Sequence, residues 1–243
     1  MTLPRGKRIQ VWLVLVAVII AGLVLAYLIF GRLQGRLIYG IETREKVVAL
    51  TYDDGPHPIY TPQILRILAQ YHIKATFFMI GSRMEQYPDI VRMVAAQGHV
   101  IGSHTYTHPS NFEDLPPKAL RQELEQCDRV ITNFTGKQPE YFRPPLGYVN
   151  NAVLHAAKLK GYHTVLWTVS ADHHDAPTPA LMAKRVMQRI QPGGIILAHD
   201  GSFDSRWKDV AATPLIIDAL LKKGYRFVTV PELLALEAKS HKQ

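Results

Sequence analysis

The sequence predicts an α/β fold, a closed or nearly closed parallel barrel, on three observations. Apolar, β-branched-rich runs alternate with stretches of helical spacing between Val47 and Val230. Seven strands can be read there, each followed by a helix or a turn. Five short segments that follow such runs carry polar, metal-capable or proton-transfer residues: Thr51 to Pro56, His104 to His108, Arg143 to Gly147, Asp172 to Asp175, and Leu197 to Asp200. In parallel α/β proteins the carboxyl ends of the strands are where chemistry is done. An open doubly wound sheet is the alternative architecture.

Residues 1–10 form a short basic segment containing Arg5, Lys7 and Arg8. Val11 to Phe30 has no charge and no proline, and at about 1.5 Å per helical residue it reaches about 30 Å, enough to cross a bilayer core. A cleaved signal peptide would have a shorter apolar core and a small-x-small cleavage site, whereas this run ends Leu28-Ile29-Phe30. An uncleaved transmembrane anchor is therefore expected over residues 11–30. Arg32 and Arg36 balance the basic residues before it, so flanking charge sets the orientation only weakly. Residues 31–45 read as a polar stalk.

The first strand is Val47 to Tyr52. Ile64, Leu65 and Leu68 give Thr61 to Tyr71 helical spacing. Ala75 to Ile80 is a strand closed by Gly81, Asp89 to Gln97 a helix, and His99 to Ser103 a strand. Leu115 to Phe134 is a long helix with Pro116 and Pro117 near its start, where proline is tolerated. Glu140 to Phe142 is a short strand and Asn150 to Lys160 a helix capped by Gly161. His163 to Val169 is a strand, Pro179 to Ile190 a helix, Ile195 to Ala198 a strand, Thr213 to Lys223 a helix and Arg226 to Val230 the last strand. Residues 235–243 read as a frayed polar tail.

The chain has 243 residues, 47% of them hydrophobic, and a formal net charge of +8, and its length suits one barrel with appendages. After residue 36 the positive side chains are dispersed, with no arginine-rich stripe interleaved with aromatics, which argues against nucleic-acid binding. Attraction to an anionic wall polymer or to lipid headgroups fits the charge better. The single cysteine, Cys127, cannot form an intrachain disulfide and reads as a semi-buried small side chain.

His104 and His108 are four apart, so one helical turn would place both on one face, close enough to share a metal. Asp53 and Asp54 are the natural source of a third ligand. Two histidines, a carboxylate and open water positions suit Zn²⁺ or another divalent transition metal such as Co, Mn or Ni. Adjacent aspartates leave an extended backbone in different directions, so one can bind the ion while the other takes a proton from the attacking water. His199 could protonate a leaving group, or be a structural histidine. Arg143 opens a rigid Arg-Pro-Pro turn. It could hold an aspartate through a bidentate contact or stack on a surface aromatic, and the prolines would aim a backbone N–H at an oxyanion.

Taken in order, Thr51 to Pro56, His104 to His108, Arg143 to Gly147 and Leu197 to Asp200 resemble the motifs of the polysaccharide deacetylases, the NodB-homology group or carbohydrate esterase family 4. The similarity runs from about Lys46 to Leu234, so 46–234 is the expected catalytic domain. The resemblance implies a deformed (β/α)7 barrel that removes acetyl groups from N-acetylated sugars with one divalent ion. It implies Asp53 as general base, Asp54, His104 and His108 as metal ligands, Arg143 as the residue orienting Asp53, and His199 as general acid. Leu197 would line the acetyl pocket and the Leu146 N–H would help form the oxyanion hole.

Two positions depart from the family. Leu146 stands where many members have an aromatic. The fourth motif lacks its Asp-Trp, which leaves Asp172 or Asp175 to tether Arg143, with Asp172 favoured because it is closer to the strand end. Trp207 is the candidate to replace the missing sugar-stacking tryptophan. The expected protein is a membrane-anchored N-deacetylase with its catalytic domain outside the cytoplasm, acting on peptidoglycan. The alternatives are a deacetylase of chitin-type oligosaccharides, a carbohydrate-binding pseudoenzyme, and a two-metal hydrolase such as a phosphoesterase.

Overall fold

The computed structural model describes residues 37–171, 176–201 and 204–240, together with Trp12, Val16, Ile20 and Gly22. Most of the segment expected as an anchor, 11–30, lies outside the described residues. Among the described residues no helix is long and apolar enough to cross a membrane.

The strands are β1 (Leu37–Ile38), β2 (Val47–Asp53), β3 (Thr76–Met79), β4 (Val100–Ser103), β5 (Tyr141–Phe142), β6 (His163–Val165), β7 (Val169–Ser170), β8 (Gly194–His199) and β9 (Arg226–Val228). The helices are α1 (Tyr60–Gln70), α2 (Gly81–Gln86), α3 (Pro88–Ala96), α4 (Pro117–Thr135), α5 (Asn151–Leu159), α6 (Pro179–Arg189), α7 (Trp207–Lys222) and α8 (Val230–Ser240). All strand pairs are parallel, in the order β1-β6-β5-β4-β3-β2-β8-β7, and β9 lies against the first half of β2.

The curl of this sheet follows from β6 and β7. They are consecutive in the chain, yet β6 pairs with β5 and β1 while β7 pairs with β8 at the opposite end of the order. The strand expected over His163 to Val169 is thus broken in the middle, and the break is the barrel's seam. Leu166 N–H reaches Ile38 O at 2.7 Å on one side and Thr168 N–H reaches Ile195 O at 2.9 Å on the other. The expected stalk also differs: Ile38 and Ile41 are buried, and Ile41 N–H donates to Gly193 O at 2.9 Å, so this segment belongs to the barrel. The expected frayed tail differs too, because the helix continues through Ser240 and Leu236 packs against the core. α7 starts at Trp207, six residues earlier than expected, with Pro214 in its interior.

Alternation along the strands sorts the core into two layers. On β2, Val48, Leu50 and Tyr52 pack with Ile64 and Leu65 of α1 and with Ile216 and Ile217 of α7, beneath the helices. Val47 and Ala49 belong to a separate cluster with Phe78, Val165 and Ile195. Thr51 and Asp53 share the parity of that second set, and on β8 so does His199, two and four residues beyond Ile195 along with Leu197. Register places Asp53 directly beside His199 on β8 and beside Phe78 on β3. Two proton-transfer candidates therefore stand side by side at the carboxyl mouth.

Candidate active site

Arg143, just past β5, is fully buried and organises the base side of the mouth. Its Nη1 donates to Asp53 Oδ1 at 2.6 Å and to Thr51 Oγ1 at 2.9 Å. Its Nε and Nη2 donate to Val165 O at 3.0 Å and Leu166 O at 2.9 Å. Those two carbonyls are at the seam, so a side chain fills hydrogen bonds that a continuous strand would have taken. The guanidinium also lies over the Phe78 ring, 4.2 Å from its centroid. The contact with Asp53 is through one nitrogen and not the expected two, and the ring under the guanidinium is a buried one, not a surface aromatic. Burial pulls the guanidinium's pKa down, and the Asp53 charge and hydrogen bond oppose that shift. Asp172 and Asp175 lie outside the described residues.

Asp54, His104 and His108 converge from the ends of β2 and β4. Asp54 Oδ1 is 3.4 Å from His104 Nε2 and 3.4 Å from His108 Nε2. The three ligand atoms lie within 4.8 Å of one another. Ligands about 2.1 Å from a common ion at tetrahedral angles are separated by about 3.4 Å, so this donor set fits a divalent metal. His104 Nδ1 is 2.7 Å from Arg143 O. A carbonyl only accepts, so Nδ1 carries a proton, and Nε2 is the nitrogen that faces Asp54.

Burial alone would raise the Asp54 carboxyl, but the His104 hydrogen bond and charge, with His199 and His108, hold it well below the usual range. Burial would lower His104, but the Asp53 and Asp54 charges raise it. Burial and the neighbouring His104 lower His108.

The backbone is bent to deliver these groups. Among the described non-glycine residues, φ is positive at Asp54 (72°), Thr105 (65°), His108 (56°) and Leu146 (56°), all in the mouth loops, and otherwise only at His72. Such conformations are costly and persist where the surroundings enforce them. His108 N–H donates to Thr105 Oγ1 at 3.0 Å, which shapes the turn between the two histidines. The Gly55–Pro56 peptide is cis.

Leu146 is exposed, and its N–H has no acceptor among the described residues. Leu197 is buried on β8, beside Thr51. Trp207 is half-exposed at the first position of α7, not in a loop. Cys127 is fully buried, and burial pushes its thiol up to about 12.

Sequence reasoning gave no role to three buried acidic or basic residues at this mouth. Asp200 accepts from Thr61 Oγ1 at 2.5 Å, and burial, with the Asp54 and Asp53 charges, pushes its carboxyl up to about 7. Asp209 Oδ1 accepts from His199 N–H at 3.0 Å. Arg206 is 2% exposed, with Nη2 3.6 Å from Asp54 Oδ2. Asp200 closes the Leu197 to Asp200 segment; Arg206 and Asp209 belong to none of the five segments.

The family model for polysaccharide deacetylases matches residues 40–165. A peptidoglycan-N-acetylglucosamine deacetylase of Bacillus cereus is 43% identical over 204 residues, spanning 82% of this chain and 93% of the relative. A crystal structure of a peptidoglycan N-acetylglucosamine deacetylase in complex with 4-naphthalen-1-yl-N-oxidanyl-benzamide superimposes with a TM-score of 0.78 at 33% identity, covering 82% of this chain and 92% of that one. A family pseudoenzyme from Bacillus anthracis superimposes with a TM-score of 0.74 at 31% identity, covering 81% of this chain and 68% of that one.

Proposed function

The chain belongs to the polysaccharide deacetylase family, and from that premise we propose that it is a membrane-anchored, zinc-using N-deacetylase of peptidoglycan on the outer side of the membrane. It is a metal-dependent hydrolase. The observation that carries the reading is the side-by-side placement of Asp53 and His199 next to the Asp54, His104 and His108 cluster.

A divalent ion held by Asp54, His104 and His108 would supply Lewis acidity to the acetamide carbonyl and to the attacking water. Asp53, its Oδ1 held by Arg143, takes the water's proton at Oδ2. The Leu146 N–H faces the developing oxyanion, and Leu197 bounds the space for the acetyl methyl. His199 delivers a proton to the sugar nitrogen as the C–N bond breaks, so that water and the amide become acetate and an amine. Trp207 offers an exposed ring to a sugar face, and Asp172 assists Arg143.

The substrate assignment rests on the named activity of the Bacillus cereus relative and on the net charge of +8, which suits an anionic wall. The anchor rests on the uncharged run from Val11 to Phe30. Trp12, Val16 and Ile20, four apart in helical conformation and exposed, fit side chains that meet lipid. Residues 1–10 would then be cytoplasmic, 31–36 a short link, and the barrel external. Protease added to cells with permeabilised outer layers should digest the barrel, and protection would overturn this orientation.

The decisive experiment measures acetate released by the full chain from peptidoglycan and from chitin oligosaccharides. Release from peptidoglycan, abolished by a chelator and restored by Zn²⁺, is expected. No release from either glycan by metal-loaded protein would favour the pseudoenzyme reading, and release from chitin oligosaccharides alone would move the substrate.

A further inference from the structure

Arg206 reaches both sides of the chemistry. It stands immediately before α7 with its guanidinium buried. Nε donates to Gly201 O at 3.0 Å, just beyond β8. Nη2 lies 3.6 Å from Asp54 Oδ2, and Nη1 lies 3.7 Å from Asp209 Oδ2. Asp209, itself buried, uses its other oxygen to hold the His199 N–H at 3.0 Å. The two oxygens of Asp54 are therefore divided, Oδ1 facing His104 and His108 and Oδ2 facing Arg206.

We propose that Arg206 is a positioning residue that reserves Asp54 Oδ2, so that Oδ1 alone is presented to the ion, and that ties this arrangement to the acid His199 through Asp209. The inference rests on the metal reading above. Its physical content is opposed to that of an ordinary metal-site support. A fixed cation beside a metal-binding carboxylate repels the ion and thins the charge the carboxylate donates to it. The protein thereby gives up affinity and keeps the ion more electrophilic. A scaffold residue would instead support affinity and rate together.

The test compares full-length wild type, Arg206→Gln and Arg206→Lys. Zn²⁺ affinity is read by competition with a chromophoric chelator, and kcat and KM from acetate release. Arg206→Gln should bind Zn²⁺ as tightly as wild type or more tightly, while kcat falls about 10–100-fold and KM changes little. Arg206→Lys keeps the charge without the fork, and should recover most of kcat at wild-type Zn²⁺ affinity. A parallel fall of Zn²⁺ affinity and kcat in Arg206→Gln overturns the proposal. So does an Arg206→Lys variant no faster than Arg206→Gln; if Arg206→Gln does not fold, an Arg206→Lys variant with kcat about 10–100-fold below wild type overturns it. A wild-type chain that takes up no Zn²⁺ would instead sink the metal reading itself, before any variant is compared.

Discussion

Replacing Arg143 with methionine keeps an unbranched stem and deletes every donor. Asp53, 3% exposed, then stays buried with its Oδ1 unpaired, its nearest remaining positive neighbour being His104 Nε2 at 3.8 Å from Oδ2. Thr51 Oγ1 and the Val165 and Leu166 carbonyls lose their donors at the same time. Stranding one partner of a buried ion pair costs about 3–5 kcal/mol. With about 2–4 °C per kcal/mol for a domain of this size, Tm should drop by about 6–20 °C. Against a total stability of about 5–15 kcal/mol, much of the protein should remain folded at 25 °C. Most of the loss comes from the stranded carboxylate, so Asp53→Asn in the Arg143→Met background should recover about 1–3 kcal/mol of it. Urea unfolding of the four proteins of this cycle, followed by circular dichroism at pH 7, measures the coupling. Losses that add to within about 0.5 kcal/mol would refute the claim that the guanidinium's main task is to hold Asp53.

Asp53→Asn should keep its metal and lose about 10²–10⁴-fold in kcat, while Asp54→Asn should lose metal; elemental analysis beside acetate release separates the two, and the reverse pattern would exchange their roles. Gly201→Ala should abolish high-affinity Zn²⁺ uptake, because a Cβ there would occupy the space of the Asp54 carbonyl and push the ligand aside; native affinity in this variant would contradict that packing. His99 Nδ1 accepts from Ala75 N–H at 3.1 Å, which requires an unprotonated nitrogen, and burial, with the Lys74 charge, lowers the imidazole to about 4. The unfolded chain, near 6.5, takes up the proton first, so this stabilisation is complete above that pH and is lost as the pH falls toward 4. Urea midpoints across this window should fall less steeply for His99→Asn than for wild type, and equal slopes would dismiss the histidine's part.

The strand ends were legible because each chemical motif directly follows an apolar run, and because β2 and β8 are continuous buried runs up to Asp53 and His199. The seam was not legible. His163 to Val169 reads as one strand, and what breaks it is a guanidinium arriving from Arg143, a partner no local pattern announces. The polar linker before β2 concealed Ile38 and Ile41, too few apolar residues to register as a strand. The start of α7 was hidden by Pro214, which reads as a first-turn proline but lies mid-helix. Arg206 escaped notice because its value depends on Asp54, far away in the chain, while its own neighbours Ser205 and Trp207 look like surface.

The placement of the mouth residues along the chain has a consequence for synthesis. Asp54, His104 and His108 all lie in the β2–β4 half of the barrel, so a ribosome releases them first. The guanidinium that holds Asp53 comes only with Arg143, the seam with Leu166, and the imidazole on β8 later still. A growing chain thus owns ion-capable groups well before it owns the pair of residues that would trade protons beside them. Acquisition of the ion and acquisition of reactivity are separated in time by the order of the letters alone.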